Sequence, residues 1–355
     1  MSQSVPLVSI CVPTSNRAAA LRAGLTDARR QDYPRIEILI SDNASDDETP
    51  QVCREAAAQD PRIRYVRQPA NIGLYRNHNF CVEESRGDFL CFFHDHDERD
   101  PTMISRYVAF LRRHPDVGAV CSNWELIDEA GRCLGVRDHP VPSVMPGLDF
   151  IDRTIRSGRC SLGIPGTMVR RGALGDIRFD PEGPIGFGDF PVWCQLAERS
   201  PIGHLPGRLW RWRQLRSSQS ACTVETMVRD YEAALAAYCD AHLARWPGHA
   251  RLVAAWRRAI RRYIFWALAF ELGLQHRPRP AGRLRRGATL FELLDYRLEP
   301  AALQRVVQQL RAYRTGPMET LAAAAIAGLI RCRLPGLFAW ATDHSLAFRR
   351  LLRLQ

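Results

Sequence analysis

Four short, β-rich apolar runs, each released into a polar cluster and separated from the next by a helix-patterned stretch, narrow the possible folds of this chain more than any other feature. Residues 7–13 (LVSICVP) end at a proline and a polar turn, and residues 36–40 (IEILI), 63–66 and 89–93 (FLCFF) repeat the pattern. Between them, residues 18–30, 48–58 and 77–85 carry helical spacing, as at Leu21 and Leu25. Strand and helix alternating at this spacing predict a Rossmann-like α/β fold, a mostly parallel sheet flanked by helices with right-handed crossovers. Ligands of such sheets bind beyond the carboxyl ends of the strands. Three strand ends release Thr14-Ser15-Asn16-Arg17, then Asp42-Asn43-Ala44-Ser45-Asp46-Asp47, then His94-Asp95-His96-Asp97, and the fold predicts that these converge. Further on, a helix over 101–114 and a strand over 118–122 are expected. Residues 136–188 read as irregular, and helices are expected over 227–243, 251–274, 300–313 and 318–330.

Composition sets the outer bounds. A chain of 355 residues exceeds the usual single core. With 46% apolar and 25% charged residues it is an ordinary globular sequence, which excludes wholesale disorder. All 49 basic residues are arginine. Residues 1–220 are neutral, with 28 arginines against 28 acidic residues, whereas residues 221–355 hold 21 against 10, so the whole +11 lies there. The division predicted is therefore a ligand-binding α/β domain over 1–220 and a basic α-helical region over 221–355. The excess charge suits an acidic partner: anionic lipid, a phosphate-bearing acceptor or nucleic acid. Eleven scattered cysteines with no CxxC pair suit buried reduced thiols in a cytosolic protein. No secretory leader is visible, and no apolar run approaches the ~20 residues of a spanning helix. The expected location is cytoplasmic, including peripheral attachment at the inner face of the membrane.

The order VSICVPTSNR, ILISDNASDDET, NIGLYRNHN, GDFLCFFHDHDERDP and GFGDFPVWCQLA resembles family 2 glycosyltransferases of the GT-A fold, over about residues 5–217. The resemblance implies an inverting enzyme that moves a sugar from a nucleoside-diphosphate sugar to an acceptor hydroxyl with the help of Mn²⁺ or Mg²⁺. It also implies a glycan or lipid-linked acceptor and a place in surface polysaccharide or glycan biosynthesis. Onto this sequence it carries a nucleotide-sugar site of Pro13, Thr14, Asn16, Arg17, Asp42, Asn43, Asn71, Gly73, Arg76, Asn77, Asp95 and Arg213. It likewise carries metal ligands Asp95, His96 and Asp97, and Asp189 as catalytic base.

Each assignment has a chemical reason and a plainer alternative. A carboxylate at a strand end accepts hydrogen bonds from a base N–H or ribose hydroxyls, which suits Asp42; the nearby Ser45 and Glu48 have capping-box spacing. Hard carboxylate oxygens suit Mg²⁺ or Mn²⁺, but His96 stands where the family has an aspartate, and an imidazole shifts preference towards Mn²⁺. The alternative is a polar turn with no ion. Asp189 precedes Phe190-Pro191-Val192-Trp193, so it reads as a base or as a helix N-cap. Arg76 and Arg213 offer forks of donors for phosphate or sugar hydroxyls, yet loop and strand positions explain them as well. Arg257, Arg258, Arg261 and Arg262 beside Trp256, Tyr263, Phe265 and Trp266 suit an anionic membrane surface, or a solvated face with packed aromatics. A nucleotidyltransferase shares the sheet and acidic site, but the loop at 14–18 lacks the glycines and lysine of that class. A non-catalytic basic adaptor is the other alternative, and no nucleic-acid-recognition motif is present.

Overall fold

The computed structural model describes residues 5–158, 160–184, 187–213, 224–274 and 313. In chain order the elements are β1 (Val8–Thr14), α1 (Ala18–Arg29), β2 (Ile36–Asp42), α2 (Thr49–Gln59), β3 (Ile63–Arg67), α3 (Leu74–Glu84) and β4 (Phe89–Phe92). They continue with β5 (Glu98–Arg99), α4 (Met103–Arg113), β6 (Ala119–Ile127), β7 (Cys133–Arg137), β8 (Val144–Met145), α5 (Gly147–Ser157), β9 (Thr167–Arg170) and α6 (Arg171–Leu174). The last are α7 (Phe190–Arg199), β10 (Ile202–Arg213), α8 (Val224–Arg245) and α9 (Ala250–Leu274).

Ten strands form one sheet in the order β3-β2-β1-β4-β9-β6-β10-β5, with β7 on β6 and β8 on β10. The half built from β3, β2, β1 and β4 is parallel, as the alternation predicts. The other half is mixed: β9 runs antiparallel between β4 and β6, and β5 and β8 run antiparallel on β10. The expectation of irregular chain over 136–188 is corrected here. Val169 and Met168 of β9 are fully interior apolar residues that fill the centre of the sheet, and α5 carries buried Phe150, Ile151 and Ile155. A four-residue strand among glycines and prolines is too short to declare a period.

The core explains why these segments hold. Val8, Ile10 and Val12 of β1 and Ile38 and Ile40 of β2 are essentially inaccessible, and they pack with Leu21 and Leu25 of α1 and Val52 of α2. Each such side chain contributes ~1.5–3 kcal/mol by leaving water. Register then positions the chemistry. Thr14 lies opposite Asp42, and Asp42 opposite Arg67, so the three parallel strands end level. Cys11 pairs with Phe92, which brings β4 out beside them two residues before His94.

Chain contacts divide the molecule into two compact units, residues 1–151 with 160–215, and residues 152–159 with 216–355. In the second unit α8 and α9 pack through Tyr231, Leu235, Tyr238, Val253, Trp256, Ile260 and Ile264, all buried. Arg257, Arg258, Arg261 and Arg262 lie on the accessible side of α9, and the expected helices over 300–313 and 318–330 lie outside the described residues apart from Tyr313. Among the described residues, no helix is long and apolar enough to cross a membrane.

Candidate active site

The loops leaving β1, β2 and β3 are tied to one another by side chains. Asp42 is fully buried; its carboxylate accepts the Ser45 amide at 2.9 Å and the Tyr65 hydroxyl at 2.9 Å, with Arg67 Nε 3.6 Å away. Desolvation and then that carboxylate hold the Tyr65 hydroxyl above its ordinary range. Ser45 does not cap α2, because its Oγ accepts the Asn16 amide at 2.9 Å while Asp47 accepts the Thr49 amide at 2.8 Å. Asn16 returns a bond by accepting the Asp46 amide, and its left-handed φ of 53° turns the chain sharply enough to do so. The Arg17 amide donates to Thr49 Oγ1.

A second set reaches the loop before α3. Asn43 donates to Asn71 Oδ1 at 2.8 Å and accepts the Ile72 amide at 2.8 Å, while Asn71 also accepts the Gly73 amide. Asn77, on α3, is buried and exchanges bonds with Ser41, accepting its hydroxyl at 2.6 Å and donating to its carbonyl. Pro13 sits inside β1 opposite Ser41. Arg76 is exposed and pairs with Glu182 at 2.7 Å. Of the residues expected around a nucleotide sugar, Asp42, Asn43 and Asn77 thus first build the frame, and Asn71, Gly73 and Arg76 lie on its open side.

The loop from 94 to 97 is the centre of the site. Thr14 Oγ1 donates to Asp95 Oδ2 at 3.0 Å, and Asp95 Oδ1 lies 2.9 Å from His96 Nδ1. Both Asp95 oxygens are therefore committed. His94, His96 and Asp97 form a group suited to a metal ion, their ligand atoms all lying within 4.8 Å of one another. Of the expected ligands Asp95, His96 and Asp97, Asp95 lies outside this group and His94 joins it. Asp97 is buried; Oδ1 accepts the Arg213 amide at 2.9 Å, and Oδ2 lacks a hydrogen-bond partner, as does the buried Nε2 of His94. Burial raises the Asp97 carboxyl, against the pull of His96 and Arg99, and lowers His94 well below the usual imidazole range. Two imidazoles and a carboxylate grouped this closely fit a divalent cation, which would also satisfy Asp97 Oδ2, now 3.5 Å from Arg99 Nη2.

Buried Arg99 fixes the turn, donating to the carbonyls of His94 at 2.8 Å and Asp97 at 3.0 Å and lying over the Phe93 ring. Arg213 closes the other side. Its guanidinium donates to the carbonyls of His96, Asp128 and Glu129 and pairs with Glu98. The fork expected to face a diphosphate is consequently occupied by protein. Beneath the loop, a Cβ placed on Gly24 of α1 would come within 2.7 Å of the Asp95 carbonyl oxygen, so only glycine lets the helix pass there.

Asp189 immediately precedes α7, yet its side chain makes no cap bond. It accepts the Trp193 indole N–H at 3.0 Å. Burial pushes its pKa up to about 6, against the pull of that indole and of the amides of Asp189 and Phe190. Gly188 precedes it because the Tyr75 ring lies where a side chain would go, and the Gly188 amide donates to the Tyr75 hydroxyl at 3.1 Å. A continuous run of rings links the two chemistries: Trp193 to Phe179 (6.5 Å between centroids), Phe179 to His78 (5.6 Å), His78 to His94 (5.8 Å) and His94 to His96 (6.0 Å). Sequence reasoning missed His78, Tyr75 and Phe179. The only available signal was a histidine one turn after a tyrosine on the inner face of α3.

Comparisons with known proteins bear on the family and the fold. Residues 9–176 match the model described as Glycosyl transferase family 2. An uncharacterized protein, y4gI of Sinorhizobium fredii, is 29% identical over 227 residues, covering 62% of this chain and 24% of that protein. The GalNAc(5)-diNAcBac-PP-undecaprenol beta-1,3-glucosyltransferase of Campylobacter jejuni is 34% identical over 95 residues, covering 26% of this chain and 31% of that enzyme. The chain thus spans about a quarter to a third of the length of these curated relatives. Among solved structures, S. aureus TarS 1-349 in complex with UDP-GlcNAc superposes with a TM-score of 0.57 at 15% identity, covering 95% of this chain and 91% of that one. The Pyrobaculum calidifontis mannosyltransferase PcManGT, in complex with GDP-Man and Mn²⁺, gives 0.52 at 16% identity, covering 96% and 88%. At such identities the likeness is one of fold.

Proposed function

Residues 9–176 form a glycosyl transferase family 2 segment, and from that premise we propose that the protein transfers a sugar from a nucleoside-diphosphate sugar to an acceptor hydroxyl, with inversion at the anomeric carbon. The observation that carries the reading is the ring run from Trp193 to His96, which supports a proton-accepting carboxylate and a cation-ligating loop on one framework. The 1–220 part is the catalytic domain and 221–355 the basic helical one.

Asp189 acts as base. Its carboxylate, anchored by Trp193 through one oxygen, takes the proton of the acceptor hydroxyl as that oxygen attacks. A pKa of about 6 leaves it ionised at neutral pH and basic enough to bind the proton in the transition state. The frame of Asp42, Asn43 and Asn71 holds the loops against which the nucleoside and sugar lie, and Thr14, Asn16, Arg17, Gly73, Arg76 and Asn77 border or brace the same cleft. When bound, a divalent ion held by His94, His96 and Asp97 supplies positive charge to the nucleoside-diphosphate leaving group. The acceptor is a glycan or a lipid-linked glycan of surface polysaccharide synthesis, reached from the inner face of an anionic membrane.

The test is release of nucleoside diphosphate by the purified full chain from a panel of UDP-, dTDP- and GDP-sugars with Mn²⁺ or Mg²⁺, with and without saccharide and lipid-linked acceptors. Acceptor-dependent release from at least one donor is expected. Absence of release and of donor binding across the panel would overturn the reading.

A further inference from the structure

The loop at 94–97 departs from an all-carboxylate cation site in a way that has its own chemistry. Two imidazoles and one carboxylate face one another. Nδ1 of His94 lies 4.0 Å from Asp97 Oδ2, and Nε2 of His96 lies 3.8 Å from Asp97 Oδ1. Asp95, between them in sequence, turns away to take His96 Nδ1 at 2.9 Å and the Thr14 hydroxyl at 3.0 Å. A carboxylate on the far nitrogen of an imidazole fixes the ring's tautomer and leaves the near nitrogen, here Nε2, with its lone pair directed away from the carboxylate.

We propose that His94, His96 and Asp97 form a two-histidine, one-carboxylate cation site that selects borderline ions such as Zn²⁺ or Co²⁺ over Mg²⁺, with Asp95 as a positioning residue for His96 and not a ligand. The proposal deepens the reading given above and rests on it only for the purpose of the ion, not for its binding. Three observations and one chemical argument support it. The ligand atoms of the three side chains all lie within 4.8 Å of one another. Asp97 Oδ2 is buried with no hydrogen bond, its nearest cationic partner being Arg99 Nη2 at 3.5 Å, which leaves it a lone pair for a cation. Arg99 and Arg213 hold the loop through its carbonyls at 94, 96 and 97, so ligand placement does not depend on the ion. Finally, two imidazole ligands suit ions later in the first transition series, whereas Mg²⁺ takes oxygen ligands and water.

His78 lies against the inner face of His94. His78 Nδ1 lies 2.9 Å from the Leu74 carbonyl, which assigns the proton to that nitrogen and leaves Nε2 as an acceptor. Nε2 of His78 and Nε2 of His94 are both buried without partners in adjoining rings. A His94 that ligates through Nδ1 carries its proton on Nε2, on the side away from Asp97.

The experiment uses the full chain stripped of metal. Mn²⁺-loaded wild-type protein is examined by electron spin-echo envelope modulation, and Zn²⁺, Co²⁺, Mn²⁺ and Mg²⁺ are compared by calorimetric titration. Two directly bound imidazole nitrogens, and Zn²⁺ or Co²⁺ binding at least ~100-fold tighter than Mg²⁺, are expected. His94→Ala should abolish one nitrogen coupling and lower Co²⁺ affinity ~100-fold or more. Asp95→Asn should cost about 10–100-fold in affinity with both couplings kept, as for removal of an outer partner. Absence of nitrogen coupling in the wild type, or Mg²⁺ binding equal to Zn²⁺, overturns the proposal without any substitution. So does an Asp95→Asn protein that folds, as judged by circular dichroism, and binds no metal while His94→Ala still does. Because binding is read directly, a protein that binds Co²⁺ through two imidazoles but transfers no sugar would sustain the site and defeat the proposed reaction.

Discussion

The two sides of the site are built on opposite principles. On the side of β1, β2 and α3, nearly every polar side chain is spoken for: Asp42 by Ser45 and Tyr65, Asn43 by Asn71 and Ile72, Asn77 by Ser41. On the side of α7, Asp189 keeps a partly accessible carboxylate with one side-chain anchor and a raised pKa. A satisfied network sets shape and resists change, whereas a carboxylate held with little support stores the reactivity that proton transfer uses. On the function proposed, the difference teaches that recognition is a property of the frame and reactivity a property of one residue.

That contrast can be broken most directly at Asp189. Asp189→Asn should lower acceptor-dependent transfer by roughly 10²–10⁴-fold while donor affinity, measured by calorimetry, stays within about twofold. Retained turnover would reduce Asp189 to a structural partner of Trp193. The opposite signature is expected for Asn43→Ala, which removes the clasp between two loops. It should destabilise the protein by about 1–3 kcal/mol, seen as a lower denaturation midpoint, and weaken donor binding more than it slows the chemical step.

The pH dependence sharpens the same point, since two readouts must move in opposite directions. Asp189 is raised in the folded protein above its unfolded value, so the folded state gains protons as pH falls through about 6. Transfer should therefore fall on acidification through pH 6. The contribution of this one group to stability should rise over the same window, by on the order of 1–2 kcal/mol once partial solvent screening is allowed for. Both trends should vanish in Asp189→Asn; a stability difference between wild type and variant that ignores pH between 4 and 7 contradicts the assignment. The smallest effect is expected far from the cleft. Replacing Arg257, Arg258, Arg261 and Arg262 with Gln should weaken binding to anionic vesicles by about 1 kcal/mol per arginine near the surface, with donor hydrolysis unchanged. Wild-type protein that ignores such vesicles at low salt removes the membrane from the proposal.

The parallel half of the sheet was legible because its strands end at punctuated polar turns and its helices show their period; β1, β2 and β3 fall within a residue or two of expectation. The mixed half was not. Strand β9 has four residues, and only its pairing with β4 and β6 makes it a strand. The site was legible as a set of loops but not as a set of partners. Nothing in the order His94-Asp95-His96-Asp97 discloses that Thr14, on the neighbouring strand, engages Asp95. Nor does Trp-Arg-Trp-Arg disclose that the Arg213 guanidinium is consumed by carbonyls and Glu98. Spacing reports faces of elements, and long side chains are free to turn away from them.

The close pass of α1 beneath the Asp95 carbonyl has a dynamic consequence. Because Gly24 brings backbone against backbone there, the helix axis sets the height of the loop at Asp95, while the side chains of Arg99 and Arg213 grip its other carbonyls. A loop seated in this way is expected to move with α1. Amide exchange at residues 94–97 should then follow the slow, cooperative opening of α1 and β1, not the fast local fraying of a surface loop. A single methyl at position 24 should convert the first behaviour into the second.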